Sequence, residues 1–426
     1  MSFVQDFFRS AKPMLTFSFC FLLLFALPAT AQYDTLVVQG NGLLLLNETE
    51  VQIASSKMLD DIYDFRFDEV ETEYVKLKED FGWHPLPYFL MGLAEWWKIT
   101  VNFEDKSQDP VFMAYMDSSI MLADKLYNYE KTSLEGAFFL AAAYAFEARL
   151  VSERKEWTKA ANLAKKSLAY LEESKGKGGM SPELLFGDGL YNYYAQWIPE
   201  NYPMLKPIMW FFPGGDKDLG IQQLREVGKN AFFTRTEGQI FLMRMLASDG
   251  KDPQGALHIA RYLHKTYPNN PFFERYLARM LYATASYYEM EKVCLSIISD
   301  IENKKYGYGA DDGRYAAFFL GQLYHARMQY QKSEQYYKMV MDFVAENEAF
   351  NMGYYHYAIL GLMDIYGKQG EYDKAKEYHK LLKKHTKRGE AVAKAARSRI
   401  KNYKEIAKKL DDNPKKIVSE DGTNSD

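Results

Sequence analysis

Cysteine is nearly missing from this chain: two occur in 426 residues, Cys20 and Cys294. Cys20 lies in an N-terminal run that reads as a removable segment, which leaves Cys294 alone and excludes an intrachain disulfide. Stability must then come from packing. With no Cys or His near it in sequence, Cys294 is expected to be a small buried apolar residue. Also absent are H-E-x-x-H, C-x-x-C, G-x-S-x-G and a phosphate loop, and the seven His are scattered. We therefore expect no metal site, no cofactor and no catalytic nucleophile. His84 reads as a turn residue, and His258 and His264 stand six apart, a spacing that does not put two imidazoles on one helical face. The motifs leave open a pair of acid/base carboxylates, which has no local signature.

Long hydrophobic runs are as scarce. One runs from Met14 to Leu27 without a charge, behind Lys12 and ahead of Ala29-Thr30-Ala31. It is shorter than the ~20 residues a membrane span needs and fits a secretory signal over residues 1–31, leaving no transmembrane helix in the mature chain. Phe17-Ser18-Phe19 before Cys20 does not form a lipobox. The formal net charge is only −4, but 14 Lys and Arg face three Glu between Lys374 and Lys409. This predicts a basic capping helix over 389–410 with a solvated outer face, not a nucleic-acid surface, ahead of a polar tail over 411–426 read as disordered.

What the chain does have is helical punctuation. Asp252 suits a cap and Pro253 a first turn, and Ala256, Ala260, Leu263 and Tyr267 then line one helical face. Pro268-Asn269-Asn270-Pro271 stops that helix, and Phe273, Leu277, Met280 and Thr284 open a second face at once. A link so short predicts antiparallel helices, with Ala at their closest approach. The same grammar recurs upstream. Phe67, Val70, Tyr74 and Leu77 precede the turn Trp83-His84-Pro85, which leads to Tyr88, Met91, Gly92 and Trp96. Asp109-Pro110 reopens a helix, and Ala141, Tyr144, Ala145 and Ala148 precede Trp157, Ala160 and Ala164. Downstream, Leu320-Gly321, Tyr324, Tyr330, Ser333, Tyr337 and Val340 form one unit, and Tyr366, Gly370, Tyr372, Ala375 and Leu382 another. Tyr324 and Tyr366 are 42 apart, which predicts an added turn near Asn347.

These patterns resemble the tetratricopeptide repeat (TPR), with its spacing of ~34 residues. The resemblance implies an all-α, TPR-like solenoid of helical hairpins. We assign N-terminal hairpins to 32–174 and an irregular aromatic and Pro-rich insert, with Gly/Pro-rich links, to 175–224. The C-terminal repeats take 225–388. In the insert, Ser181-Pro182 is expected to cap a helix running to Pro199, and Asp216 to cap the next. The run Gly187-x-Gly189-Leu190-x-Asn192, Pro199, then Gly215-Asp216-x-x-x-Gly220-x-x-x-Leu224 resembles the middle motif of the eukaryotic inclusion-body-clearance TPR group, with Lys217 where that group has Arg. Bacterial relatives carrying secretion signals look similar, which implies export to the periplasm or an outer-membrane-associated place in a bacterium, with peripheral envelope association.

The expected function is a non-catalytic scaffold that holds a protein or peptide in a concave groove lined by first helices. Candidate groove residues are Tyr88, Trp96, Tyr144, Tyr276, Tyr315 and Tyr357. Two alternatives stay open. One is a carbohydrate-binding protein of the envelope, stacking sugars on Tyr191, Tyr193, Tyr194, Trp197 and Trp210. The other is a helical-toroid glycosidase using Asp188 with Glu200 or Asp216, whose carboxyls would need a separation of roughly 5–9.5 Å.

Overall fold

The punctuation read above becomes structure almost position by position. The computed structural model describes residues 45–203, 206, 210, 213–248 and 252–412. The segment 1–31, the tail beyond 412 and parts of the insert around 204–212 lie outside the described residues. Among those described, there are 17 α-helices, one 3-10 turn at Leu45–Asn47 and no strand. They divide into two compact units, one through Asn270 and one from Pro271. The first unit holds α1 Thr49–Tyr63, α2 Phe67–Phe81, α3 Leu86–Val101, α4 Asp109–Tyr127, α5 Ser133–Glu153, α6 Trp157–Ser174, α7 Leu184–Asn201, α8 Lys217–Asn230, α9 Arg235–Ser248 and α10 Pro253–Thr266. The second holds α11 Pro271–Ala283, α12 Tyr287–Glu302, α13 Ala310–Ala326, α14 Tyr330–Glu346, α15 Gly353–Lys368, α16 Tyr372–His385 and α17 Ala391–Asp412. Within each unit, helices pack as hairpins, making an all-α helical solenoid.

Two helix starts carry the side-chain caps expected of them. Asp252 accepts from the Gly255 amide at 2.7 Å, and Asp216 accepts from the amides of Asp218 and Leu219 at 2.9 and 3.0 Å. The Ser181 hydroxyl accepts from the Glu183 amide at 3.4 Å, as a cap would, while it donates to Asn47 Oδ1 at 2.8 Å, and the regular helix α7 begins three residues on, at Leu184. Of the insert, α7, with Pro199 inside its last turn, and α8 are helical, and the connection between them lies partly outside the described residues.

One joint recurs five times between first and second helices. The residue two before the second helix has positive φ: Phe65 at 60°, Lys155 at 64°, Ala285 at 57°, Met328 at 58° and Gly370 at 82°. The next amide then returns to a carbonyl five residues back: Arg66 to Asp61, Glu156 to Val151, Ser286 to Leu281, Gln329 to Tyr324 and Glu371 to Tyr366. This closes the last carbonyls of the first helix in a Schellman-type turn. Only Gly370 takes the left-handed conformation without a Cβ cost of roughly 1–2 kcal/mol. The joint also gives the repeat length. Leu281 to Tyr324 spans 43 residues and Tyr324 to Tyr366 spans 42, so the lengthening near Asn347 has a counterpart in the link after α12.

Small residues meet where the hairpins need them. Ala148, Val151, Ala160 and Leu163 form one buried cluster between α5 and α6, with Tyr144 and Ala164 against it. Cys294 is fully buried, and burial pushes its thiol pKa up, as its small apolar role requires. At the C-terminal end, α17 packs on α15 and α16 and buries Val392, Ala396 and Tyr403. The Tyr403 hydroxyl donates to Asp364, which also pairs with Arg399.

The first unit curls back on itself. Asp64, just beyond α1, accepts from the amide and side chain of Asn269 at 3.0 and 3.1 Å, and Asn270 donates to the Tyr63 carbonyl at 2.8 Å. Tyr63 and Tyr267 meet with ring centroids 5.6 Å apart. Residues some two hundred positions apart thus seal one turn of the array, and its first helices are turned inward.

Candidate binding groove

Enclosed by that turn is a cavity of about 270 Å³, walled mainly by first helices. Its walls are Leu46 and Tyr63 from the α1 hairpin, Phe89 and Leu93 from α3, Phe186 and Leu190 from α7, and Phe233, Glu237 and Phe241 at and along α9. The fifth wall is α5, where Phe138, Ala142, Ala145, Phe146 and Arg149 follow one another at helical spacing. Alanines between the phenylalanines leave the open volume, since a larger side chain at 142 or 145 would project into it. The second helix α6 adds Ser167 and Leu171. Phe89 meets Phe139 and Phe146 edge to face at 5.7 and 5.8 Å, and Phe186 meets Phe241 at 5.9 Å. Such pairs hold the wall in one arrangement.

Two charges enter this apolar lining. Arg149 stacks over Trp96 at 4.3 Å and has no hydrogen bond or ion pair among the described residues. Burial lowers its pKa to about 10, repulsion from Arg244 adds to this, and Glu237 opposes it. Glu237 accepts from the Tyr63 hydroxyl at 3.4 Å. Its pKa is raised by burial, against the pull of Arg149. Both side chains keep some accessible surface because they face the cavity, although protein surrounds them otherwise.

Two buried carboxylates set the walls without lining them. Glu183, 2% exposed, accepts from the amides of Phe232, Phe233 and Thr234 and from the Thr234 hydroxyl, at 2.6, 3.1, 2.9 and 2.7 Å. It thereby satisfies the amides that lead into α9. Glu135 accepts from the amides of Leu45 and Leu46, both at 2.9 Å, and fixes Leu46 at the cavity edge. His84 is buried in the turn before α3, where its Nδ1 accepts from the Leu86 amide at 3.2 Å.

The predicted groove residues are dispersed. Trp96 is 2% exposed and lies behind Arg149, one layer from the cavity. Tyr88 contacts Tyr74 at 6.1 Å and donates to the Gly82 carbonyl, and Tyr144 stacks on Tyr170 between α5 and α6. In the second unit, Tyr276 meets Phe272 at 4.6 Å, Tyr315 meets Tyr354 at 4.5 Å near Arg275, and Tyr357 lies half-buried on α15. Sequence reasoning missed Arg149, Glu237 and the phenylalanines. The available signal was the stripe on α5, a run of small and aromatic residues ending on a cation.

The residues of the two alternatives have other engagements. Asp188 accepts from the Gly176 amide at 3.1 Å, Asp216 caps α8, and Glu200 pairs with Lys217. Tyr193 is buried, and the rings of Tyr193, Tyr194 and Trp197 meet at 87° and 89°, so they offer no coplanar platform to a sugar. Trp210 is exposed.

Another buried carboxyl carries a pH signature. Glu147 on α5 is 3% exposed, and burial, then the neighbouring Asp117, raise its pKa from 4.5 to about 7. A carboxyl whose folded pKa is raised carries no penalty while both states are protonated, and the penalty grows as pH rises from 4.5 to 7. At full ionisation this amounts to roughly 3 kcal/mol. Glu147→Gln is therefore expected to stabilise the protein by about 2 kcal/mol at pH 8 and to change little at pH 4. Urea melts at the two pH values check it, and equal shifts at both would refute it.

Comparison with known proteins assigns no relative: no family model and no curated protein matches this chain.

Proposed function

We propose that the chain is a helical-repeat scaffold, exported and without catalysis, that binds a protein or peptide partner in the groove formed by the first helices of its N-terminal unit. One observation carries this reading: first helices from five hairpins converge on a shared apolar wall with open volume in front of it. A solenoid that only filled its core would close such a wall, because apolar surface left open costs about 25 cal/mol per Å². The uncharged N-terminal run and its small-residue end support export, with the periplasm or the outer-membrane face of a bacterium as the place. The resemblance to TPR proteins supports partner binding as the mode.

The test is retention of envelope proteins on the immobilised chain and on Ala145→Trp. Ala145 lines the groove but is solvent-exposed, so Trp fits without disturbing the core. We expect a defined partner on the wild type, at least tenfold less on the variant, and superimposable melting curves. Equal retention of the same proteins by both would sink the groove as the binding surface.

A further inference from the structure

The floor of the groove has a chemistry that the scaffold reading does not use. Arg149 lines the cavity and makes no hydrogen bond among the described residues, and its guanidinium stacks on the face of Trp96 at 4.3 Å. A half-buried guanidinium in an apolar lining is poorly solvated unless an anion completes it, and its planar fork matches a carboxylate with two parallel hydrogen bonds. Arg244 and Arg149 repel each other, while Glu237 supplies the single acidic charge in the lining. One negative charge added beside Arg149 therefore improves the local balance.

The remaining lining is aliphatic or aromatic and offers few polar partners, so the body of the ligand must itself be apolar. A polypeptide segment threaded through this floor would strand its amides and carbonyls. An alkyl chain has none to strand. About 270 Å³ is the liquid volume of roughly nine waters, or about as many methylene groups.

We propose that the groove floor binds a medium-chain monocarboxylate, with its carboxylate on Arg149 and its alkyl chain among Phe89, Phe146, Leu190 and Phe241. This goes beyond partner binding, and each reading can fail without the other.

The experiment is calorimetric titration of the full chain with decanoate, decanol and decylammonium, repeated on Arg149→Met and Ala145→Trp. We expect saturable one-to-one binding of decanoate, at least tenfold weaker binding of decanol, and none of decylammonium. Arg149→Met should lose decanoate at least tenfold while keeping decanol, and Ala145→Trp should lose both. Arg149→Met also gives up the stack on Trp96 and the attraction to Glu237, so its melt is recorded beside the titrations, and decanol binding retained by the folded variant separates a ligand-binding role from a structural one. Equal affinity for decanoate and decanol overturns the proposal, as does decanoate binding unchanged by either substitution. Absence of decanoate binding in a chain that still retains its partner overturns this inference alone, and loss of the partner result alone overturns only the scaffold reading.

Discussion

Replacing Glu183 by Ala is expected to destabilise the protein by about 4 kcal/mol, because it strands three amides and a hydroxyl in a buried site. A polar group left unsatisfied in the interior costs roughly 1–3 kcal/mol, and water entering the vacated space recovers part of that sum. In a unit of this size the melting temperature should fall by roughly 10 °C. Glu183→Gln keeps one carbonyl oxygen for these donors and should lose about half as much. The effect extends to the groove, since Phe233 and Thr234 line it and Glu183 fixes both. Denaturant titration of the two variants decides the matter: a loss below about 0.5 kcal/mol for the Ala variant would mean that the amides find other partners.

Gly220→Ala is expected to cost about 3 kcal/mol, although Ala normally stabilises a helix interior by about 1 kcal/mol relative to Gly. The sign reverses because a Cβ at 220 would lie 2.7 Å from the Gly189 carbonyl oxygen and 2.7 Å from the Tyr193 amide nitrogen. Both are backbone atoms of α7, so the helices themselves must separate. Gly228, on the same helix, is the control. A Cβ there meets only the flexible side chain of Gln239 at 3.2 Å, and Gly228→Ala should be neutral or stabilising by about 0.5–1 kcal/mol. Thermal melts should put Gly220→Ala well below the wild type and Gly228→Ala at or above it, and a stabilised Gly220→Ala would show that α7 and α8 are not in backbone contact.

That contact also explains the motif of the middle segment. Gly189, Gly220 and Leu224 lie where α7 and α8 cross with no room for a Cβ, and a Cβ at Gly189 would stand 2.9 Å from Leu224 Cγ. Gly215 is constrained in the same way, with the Asn192 carbonyl oxygen at 2.3 Å from its would-be Cβ. A string of glycines with a fixed rhythm is thus the trace of one close helix pair, with no catalytic residue required.

Local signals carried far in this chain. The caps at Asp216 and Asp252, the turn at Pro268-Asn269-Asn270-Pro271 and the alanine contacts of α5 and α6 each depend on residues a few positions apart, so they were readable. Glu183 and Glu135 were not, because their donors lie about 50 and 90 residues away. The groove was half readable. The α5 stripe from Phe138 to Arg149 could be seen as a face, yet nothing local says whether such a face meets another helix or open space. Large aromatics were the natural candidates for that role, and Trp96 instead became the support beneath Arg149.

The sequence by itself determined that the described chain is helical, where several of its helices begin and end, and which faces are apolar, since period, caps and turn residues act within a few positions. Only the tertiary structure decided that the first unit closes through Asp64, Asn269 and Asn270, and that Arg149 and Glu237 come to share a cavity. The physical reason is that the rotation from each hairpin to the next depends on side-chain volumes at contacts between helices. Small rotations added over five hairpins set the curvature, and the curvature decides which apolar faces are left without a neighbour.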